Sequence, residues 1–191
     1  RFTFCGAANH AGTTRLADRR DPMLTFASEV HDARARAAAH DAVATFGKLR
    51  VTPNGANAIP SRVEAWLDAR APDEQTLRAL VDAIIADAER SAGADRTSVH
   101  AEAESVSPAV LFPDSPRSRI QRILAADFGD VPVLPTAAGH DAGILSANVP
   151  TAMLFVRNPT GVSHSPAEHA EIADCHAGAR ALALVMRDWV A

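Results

Sequence analysis

The chain has no tyrosine and only two cysteines among its 191 residues. Cys5 and Cys175 stand far apart and outside any CxxC spacing. They read as two reduced structural thiols of a cytoplasmic protein rather than as a disulfide framework. No apolar run approaches the roughly 20 residues that a membrane-spanning helix needs, so no membrane partner is expected. No basic run is present and the net charge is −4, which argues against nucleic acid as a partner. The first residue is not methionine, and no signal peptide or leader is expected in this sequence. The chain opens on Arg1 and reads at once as a strand, with Phe2 and Phe4 alternating against Thr3 and Cys5. The expectation is a piece of a longer protein.

What is present is a chain 47% apolar and rich in alanine, enough for a core but one with thin interfaces between elements. A first helix is marked by Asp21 as cap, Pro22 at the first turn, and Met23, Phe26, Val30, Ala33 and Ala37 as one stripe. A strand follows over 42–51, then the turn residues Pro53, Asn54 and Gly55. The next strand, 62–70, turns Val63, Ala65, Leu67 and Ala69 one way and Glu64, Trp66, Asp68 and Arg70 the other. A second helix capped by Asp73 carries Leu77, Leu80, Val81, Ile84 and Ile85 and ends at Gly93, and a fourth strand lies over 97–103. This order is β-α-β-β-α-β, a split βαβ sheet with two helices on one face and the other face free.

Beyond residue 105 the pattern changes. A helix begins at Ser115 and Pro116 and stops at Gly129. Apolar strands are expected at 131–134 and 152–156, separated by a loop with Gly139, His140 and Asp141 and a short helix. A terminal helix lines Ile172, Cys175, Ala179, Leu182, Val185 and Trp189 along one side. Helices alternating with short apolar strands suggest part of a parallel α/β sheet. Two strands are too few to close one, so the sheet reads as incomplete.

Three clusters could carry chemistry. His10 lies in Asn9-His10-Ala11-Gly12-Thr13-Thr14, where Gly12 permits a tight turn. Taken alone, His10 reads by default as a surface loop histidine without a role. Asn57 sits between Pro53 and Pro60, and Arg70 stands on the sheet face away from the helices, where a guanidinium can grip a carboxylate with two bonds. The bland alternative is an Asp68–Arg70 pair on a solvated face. In Gly161-Val162-Ser163-His164-Ser165-Pro166-Ala167-Glu168, Ser165 and Glu168 fit a capping box and Pro166 a first helical position. That would mount His164 rigidly ahead of a helix, as a metal ligand requires.

Together, four segments in order resemble the allantoate amidohydrolase and N-carbamoyl-L-amino-acid hydrolase family, over essentially the whole chain. They are residues 8–14 with Arg20-Asp21; Pro53-Asn54, Asn57-Ala58-Ile59-Pro60 and Asp68-Ala69-Arg70; Ala138-Gly139-His140-Asp141-Ala142; and Gly161 to Pro166 with Glu168. The resemblance implies an α/β fold. Residues 1–105 would be a ferredoxin-like lid and dimerisation domain, and 106–191 the end of a zinc-peptidase-like α/β catalytic domain. It implies hydrolysis of a ureido C–N bond with release of ammonia and carbon dioxide, by a homodimer paired through the lid. The complete enzyme would hold two divalent ions per subunit, zinc, manganese or cobalt, with His164 as one ligand. His10 would stabilise the oxyanion, Asn57 and Arg70 would hold a small ureido acid, and Gly139 and His140 would line the pocket.

Two departures bear on this. The resemblance places that family in the di-zinc carboxypeptidase and aminoacylase superfamily, whose H-x-D segment and adjacent glutamate pair do not occur in these 191 residues, so the chain alone is expected to be inactive. Arg15-Leu16 stand where many relatives have proline and methionine. Allantoate is the first substrate expected, on the run from Leu154 to His164. An N-carbamoyl-L-amino acid is the alternative, and a non-catalytic dimerisation or binding module is the rival from another class.

Overall fold

The computed structural model describes residues 1–136 and 138–190; Ala191, the last residue of the expected second domain, lies outside them. The chain divides into two compact units, Arg1–Ala109 and Val110–Ala191. Both mix helix and strand or extended chain, a mixed α/β fold. Among the described residues no helix is long and apolar enough to cross a membrane.

The first unit contains β1 (Phe2–Cys5), β2 (Asn9–His10), α1 (Pro22–Ala39), β3 (Val43–Thr52), β4 (Ala58–Ile59), β5 (Arg62–Arg70), α2 (Glu74–Asp95) and β6 (Ser98–Ala101). Its main sheet has the order β3-β5-β1-β6, with every neighbouring pair antiparallel. β5 and β6 therefore run the same way on either side of β1, with α2 as their crossover, which is the split βαβ arrangement. Phe2, Phe4, Val63 and Ala65 point from the sheet to Ala33, Ala37, Leu80, Ile84 and Ala88 of the two helices, and all are buried. Alternation in the strands and the three-to-four spacing in the helices direct these side chains to one layer. β2 and β4 form a separate two-stranded ladder beside it, an element too short for alternation to announce.

Both helix starts follow their caps. The Asp21 carboxylate accepts from the Met23 N–H at 3.0 Å, and Asp73 accepts from the Thr76 N–H at 2.8 Å. The buried stripe of α1, however, is Pro22, Thr25, Glu29, Ala33 and Ala37, and Val30 is exposed. Glu29 is fully buried, and neither carboxylate oxygen has a hydrogen-bond partner among the described residues. Burial, followed by the nearby charges of Asp32 and Asp87, raises its pKa to about 8. Helix α2 continues past Gly93 to Asp95, because Arg96 rather than the glycine takes the left-handed capping conformation (φ 57°).

The second unit contains α3 (Asp114–Phe128), α4 (Asp141–Leu145) and α5 (Ile172–Val190). Two expectations fail here. Segments 131–134 and 152–156 are not strands; neither has a ladder partner among the described residues, and a strand exists only by its pairing. They pack instead: Val131 and Leu154 lie against Leu124 of α3 and Ala181 and Val185 of α5. The packing face of α5 is consequently Ala181, Leu184 and Val185, whereas Leu182 and Trp189 of the expected stripe are 54% and 41% exposed.

Candidate functional site

His10 and Asn57 are brought together by backbone pairing. His10 faces Ala58 in the β2–β4 ladder, and the Ala11 N–H donates to the Asn57 carbonyl at 2.8 Å. The base of the His10 loop is tied to the start of α1. Gly6 and Ala7 donate to the carbonyls of Ser61 and Arg20. A β-carbon on Gly6 would lie 2.1 Å from the Arg20 oxygen, so only glycine permits this approach. The two loops border a concavity of about 270 Å³, lined among others by Ala11, Arg19, Asn54, Gly55 and Ile59.

The His10 ring has a defined orientation. Its Nδ1 accepts the Gly12 N–H at 3.0 Å, so in the neutral ring the proton belongs on Nε2. Thr14 closes the turn beneath it, its hydroxyl and N–H both donating to the His10 carbonyl, at 2.7 and 3.2 Å. The ring is exposed, and its Nε2–H is available to an incoming acceptor.

Arg70 is elsewhere. It ends the nine-residue strand β5, whose other end adjoins the His10–Asn57 loops, and a strand of that length spans roughly 30 Å. Its guanidinium donates to Asp68, Nε to Oδ1 at 3.0 Å and Nη2 to Oδ2 at 2.7 Å. That pairing holds the Asp68 carboxyl below its ordinary range. The neighbour pair on an exposed sheet face thus exists as spacing suggested. Glu64 on the same face behaves alike, held low by Arg62, and between them Trp66 packs under Lys48 at 4.1 Å.

In the second unit, Gly139 and His140 precede α4. The His140 Nδ1 accepts the Ala142 N–H at 3.0 Å and so caps the helix, leaving Nε2 outward. Gly139 has open space where a β-carbon would stand, so no close packing requires glycine there. His164 is exposed and adopts φ 58°, and its N–H donates to Glu168 at 2.9 Å. The loop before it is organised by Asn158, whose side chain bonds to Thr160, Gly161 and Val162.

The expected helix start at Pro166 is corrected. Ser165 and Glu168 do accept, but not as the reciprocal pair of a capping box: the Ser165 hydroxyl takes the Ala167 N–H and the Glu168 carboxylate takes the His164 N–H. The backbone makes a single turn here, and α5 begins at Ile172. Nucleating a helix fixes several dihedrals for one hydrogen bond, so an isolated turn need not propagate.

Among the described residues no three His, Cys, Asp or Glu side chains gather as a metal cluster. His164 offers at most one ligand, and a divalent pair does not fit on these residues alone. Sequence reasoning passed over Arg19, which donates to the carbonyls of Ala11 and Thr14. An arginine bonded only to backbone carbonyls leaves no acidic partner in the sequence to signal it.

The chain is 37% identical over 184 residues to an N-carbamoyl-L-amino acid amidohydrolase of Geobacillus stearothermophilus, covering 95% of this chain and 45% of that protein. It is 30% identical to the allantoate amidohydrolase of Escherichia coli strain K12, covering 96% and 45%. A crystal structure of an amidase of the hydantoinase/carbamoylase family from Burkholderia vietnamiensis superposes with a TM-score of 0.91 at 30% identity, covering 97% of this chain and 46% of that one. The chain thus spans somewhat under half the length of the curated relatives it matches. The profile of peptidase family M20/M25/M40 matches residues 11–188, and on that extent the chain belongs to this family.

Proposed function

We propose that the chain is the lid and closing segment of an amidohydrolase that cleaves a ureido C–N bond, with His10 as the donor that meets the carbonyl oxygen as charge develops on it. The observation that carries this reading is the Gly12 N–H on His10 Nδ1. It leaves Nε2–H outward on a ring already oriented, and a prepositioned donor of this kind stabilises an oxyanion without reorganising. Asn57, one residue beyond the ladder that holds His10, supplies an amide for the same substrate. Arg70 serves its carboxylate, exchanging Asp68 for the ligand by the same two-bond geometry.

Arg70 stands a strand's length from His10, so one site uses both only if two copies contribute. This fits a homodimer paired through residues 1–105, and the long edge strand β3 is available for it. The complete enzyme, in this reading, is cytoplasmic and binds two divalent ions per subunit, zinc, manganese or cobalt. His164 is one ligand, and the others lie outside the described residues. Residues 106–191 complete the catalytic domain, with Gly139 and His140 at its pocket.

Allantoate is the first substrate, on the likeness of the run from Leu154 to His164. The 37% identity to the Geobacillus enzyme favours N-carbamoyl-L-amino acids as the second reading. The test is ammonia release from both substrates by the protein expressed at the full length of its curated relatives and loaded with manganese or zinc. His10→Gln should lower kcat by about 100-fold or more, and Arg70→Lys should act mainly on KM. Absence of ammonia release from either substrate by the metal-loaded protein would overturn the reading and favour a binding module.

A further inference from the structure

The loop carrying His10 has no buried apolar residue to hold it: Leu16 is 81% exposed, and the 3-10 turn of residues 16–18 buries none of its side chains. Hydrogen bonds must therefore fix it, and they converge on one side chain. The Arg19 Nη2 donates to the Ala11 carbonyl at 2.6 Å and its Nε to the Thr14 carbonyl at 3.1 Å. Those two carbonyls flank the turn whose Gly12 N–H sits on His10 Nδ1. Arg19 is partly buried, and among the described residues it pairs with no carboxylate. Its guanidinium is committed to the turn.

Arg19 is itself anchored. Its carbonyl accepts from the Arg96 Nη2 at 3.0 Å, and Arg96 also donates to the Ala17 carbonyl. Arg96 occupies the left-handed cap of α2, a helix packed into the core by Leu80, Ile84 and Ala88. A continuous path of bonds thus runs from the packed helix through Arg96 and Arg19 to the His10 ring. The fit at the end of that path is close. A β-carbon on Gly12 would lie 3.2 Å from the His10 Cε1, so small displacements of the turn reach the imidazole directly.

We propose that Arg19 is a positioning residue for His10: by clamping the Ala11 and Thr14 carbonyls it holds the Gly12 N–H on Nδ1 and so fixes both the direction of the ring and its Nε2–H tautomer. The catalytic consequence rests on the reading of His10 given above; the positioning itself does not. Arg19→Met removes both bonds and keeps a stem of similar length. Arg19→Lys keeps the charge but can reach only one carbonyl at a time, because an ammonium lacks the planar fork.

The first test is the two-bond 1H–15N spectrum of histidine-labelled chain at alkaline pH, with the His10 signals assigned by their loss in His10→Gln. Wild type should show His10 as one tautomer, with its proton on Nε2. Arg19→Met should move the two His10 nitrogen shifts toward the averaged values of a free imidazole, Arg19→Lys should do so less, and the other seven histidines should stay in place. Arg96→Met, which withdraws the support behind Arg19 and leaves its guanidinium intact, should give a smaller shift in the same direction. His10 shifts unchanged in both Arg19→Met and Arg96→Met would overturn the proposal.

In the full-length protein Arg19→Met should lower kcat by about 10- to 100-fold with KM held within about twofold. If His10→Gln leaves ammonia release intact while the Arg19 variants still alter the His10 tautomer, the role of His10 fails and the positioning stands. If His10→Gln abolishes release while the tautomer ignores Arg19, the positioning fails and the role of His10 stands.

Discussion

The two units differ in how far each closes on itself. In Arg1–Ala109 the helices and the sheet bury Phe2, Phe4, Val63, Leu80 and Ile84 against one another, and Phe26 and Phe46 meet edge to face at 5.4 Å beside them. In Val110–Ala191 the buried cluster is Leu124, Ala181 and Val185. Meanwhile Leu111, Ile144, Ile172 and Val190 are each at least 70% exposed. Both units are similarly rich in apolar residues. What separates them is pairing: four strands in one sheet give two helices a continuous floor, whereas segments 131–134 and 152–156 make no ladder among the described residues. A helix with an apolar face but no floor leaves that face in solvent.

One tryptophan lies in each unit, Trp66 in the first and Trp189 in the second, so single-tryptophan variants can follow the unfolding of each separately. The largest expected effect is Leu80→Ala. Leu80 is fully buried, and its truncation should cost about 2–5 kcal/mol in urea unfolding read at Trp66. A loss below about 1 kcal/mol would mean that the first core is looser than its packing indicates.

Glu29 should set the pH response of the same unit. Its folded pKa of about 8 lies above the ordinary 4.5. The unfolded chain therefore gives up this proton first as pH rises, and stability falls between those two values. Below pH 4.5 both states hold the proton and the cost vanishes. Glu29→Gln should thus gain on wild type with rising pH, by on the order of 3 kcal/mol between pH 5 and pH 8. A stability difference that does not change with pH would show that the carboxyl is not held neutral. Asp87 acts in the opposite sense. Arg36, which grips it through two bonds, and Arg90 lower its pKa, and the stability this contributes is lost as pH falls through the lowered value.

In the second unit the sensitive point is small. A β-carbon on Gly178 would lie 2.7 Å from the Val156 Cγ2. Gly178→Ala should therefore cost about 1–2 kcal/mol by crowding, despite alanine being the better helix former. Thermal unfolding read at Trp189 measures it, and a gain in stability would show that the 152–156 segment yields. The smallest effect should come from Leu182→Ala. At 54% exposed, this side chain should contribute no more than about 0.5 kcal/mol. A loss comparable to Leu80→Ala would erase the contrast between the units.

Much of the first unit is legible in the residues alone. The caps Asp21 and Asp73, the alternation of Phe2 with Phe4 and of Val63 with Ala65, and the β-α-β-β-α-β order each rest on local periodicity. Expectation and fold part where a neighbour outvotes the local signal. Val30 yields its place on α1 to Glu29, Gly93 yields the cap of α2 to Arg96, and Ser165 with Glu168 closes a single turn on Ala167 and His164 instead of capping a helix. Of the candidate residues, the motif runs single out His10, Asn57, Arg70, Gly139, His140 and His164, but give neither distance nor direction among them.

The sequence by itself determined the elements that repeat: helices and strands whose side chains recur every 3.6 or two residues, their caps, and the family to which the chain belongs. Only the tertiary structure decided which of those elements close. It joined His10 to Asn57 through a two-residue ladder, placed that pair near the start of β5 and so a strand's length from Arg70, and committed Arg19 to the carbonyls beneath the histidine. These depend on backbone groups meeting across long stretches of chain. Every residue but proline carries the same N–H and C=O, so the identity of a residue cannot announce which partner its backbone will find.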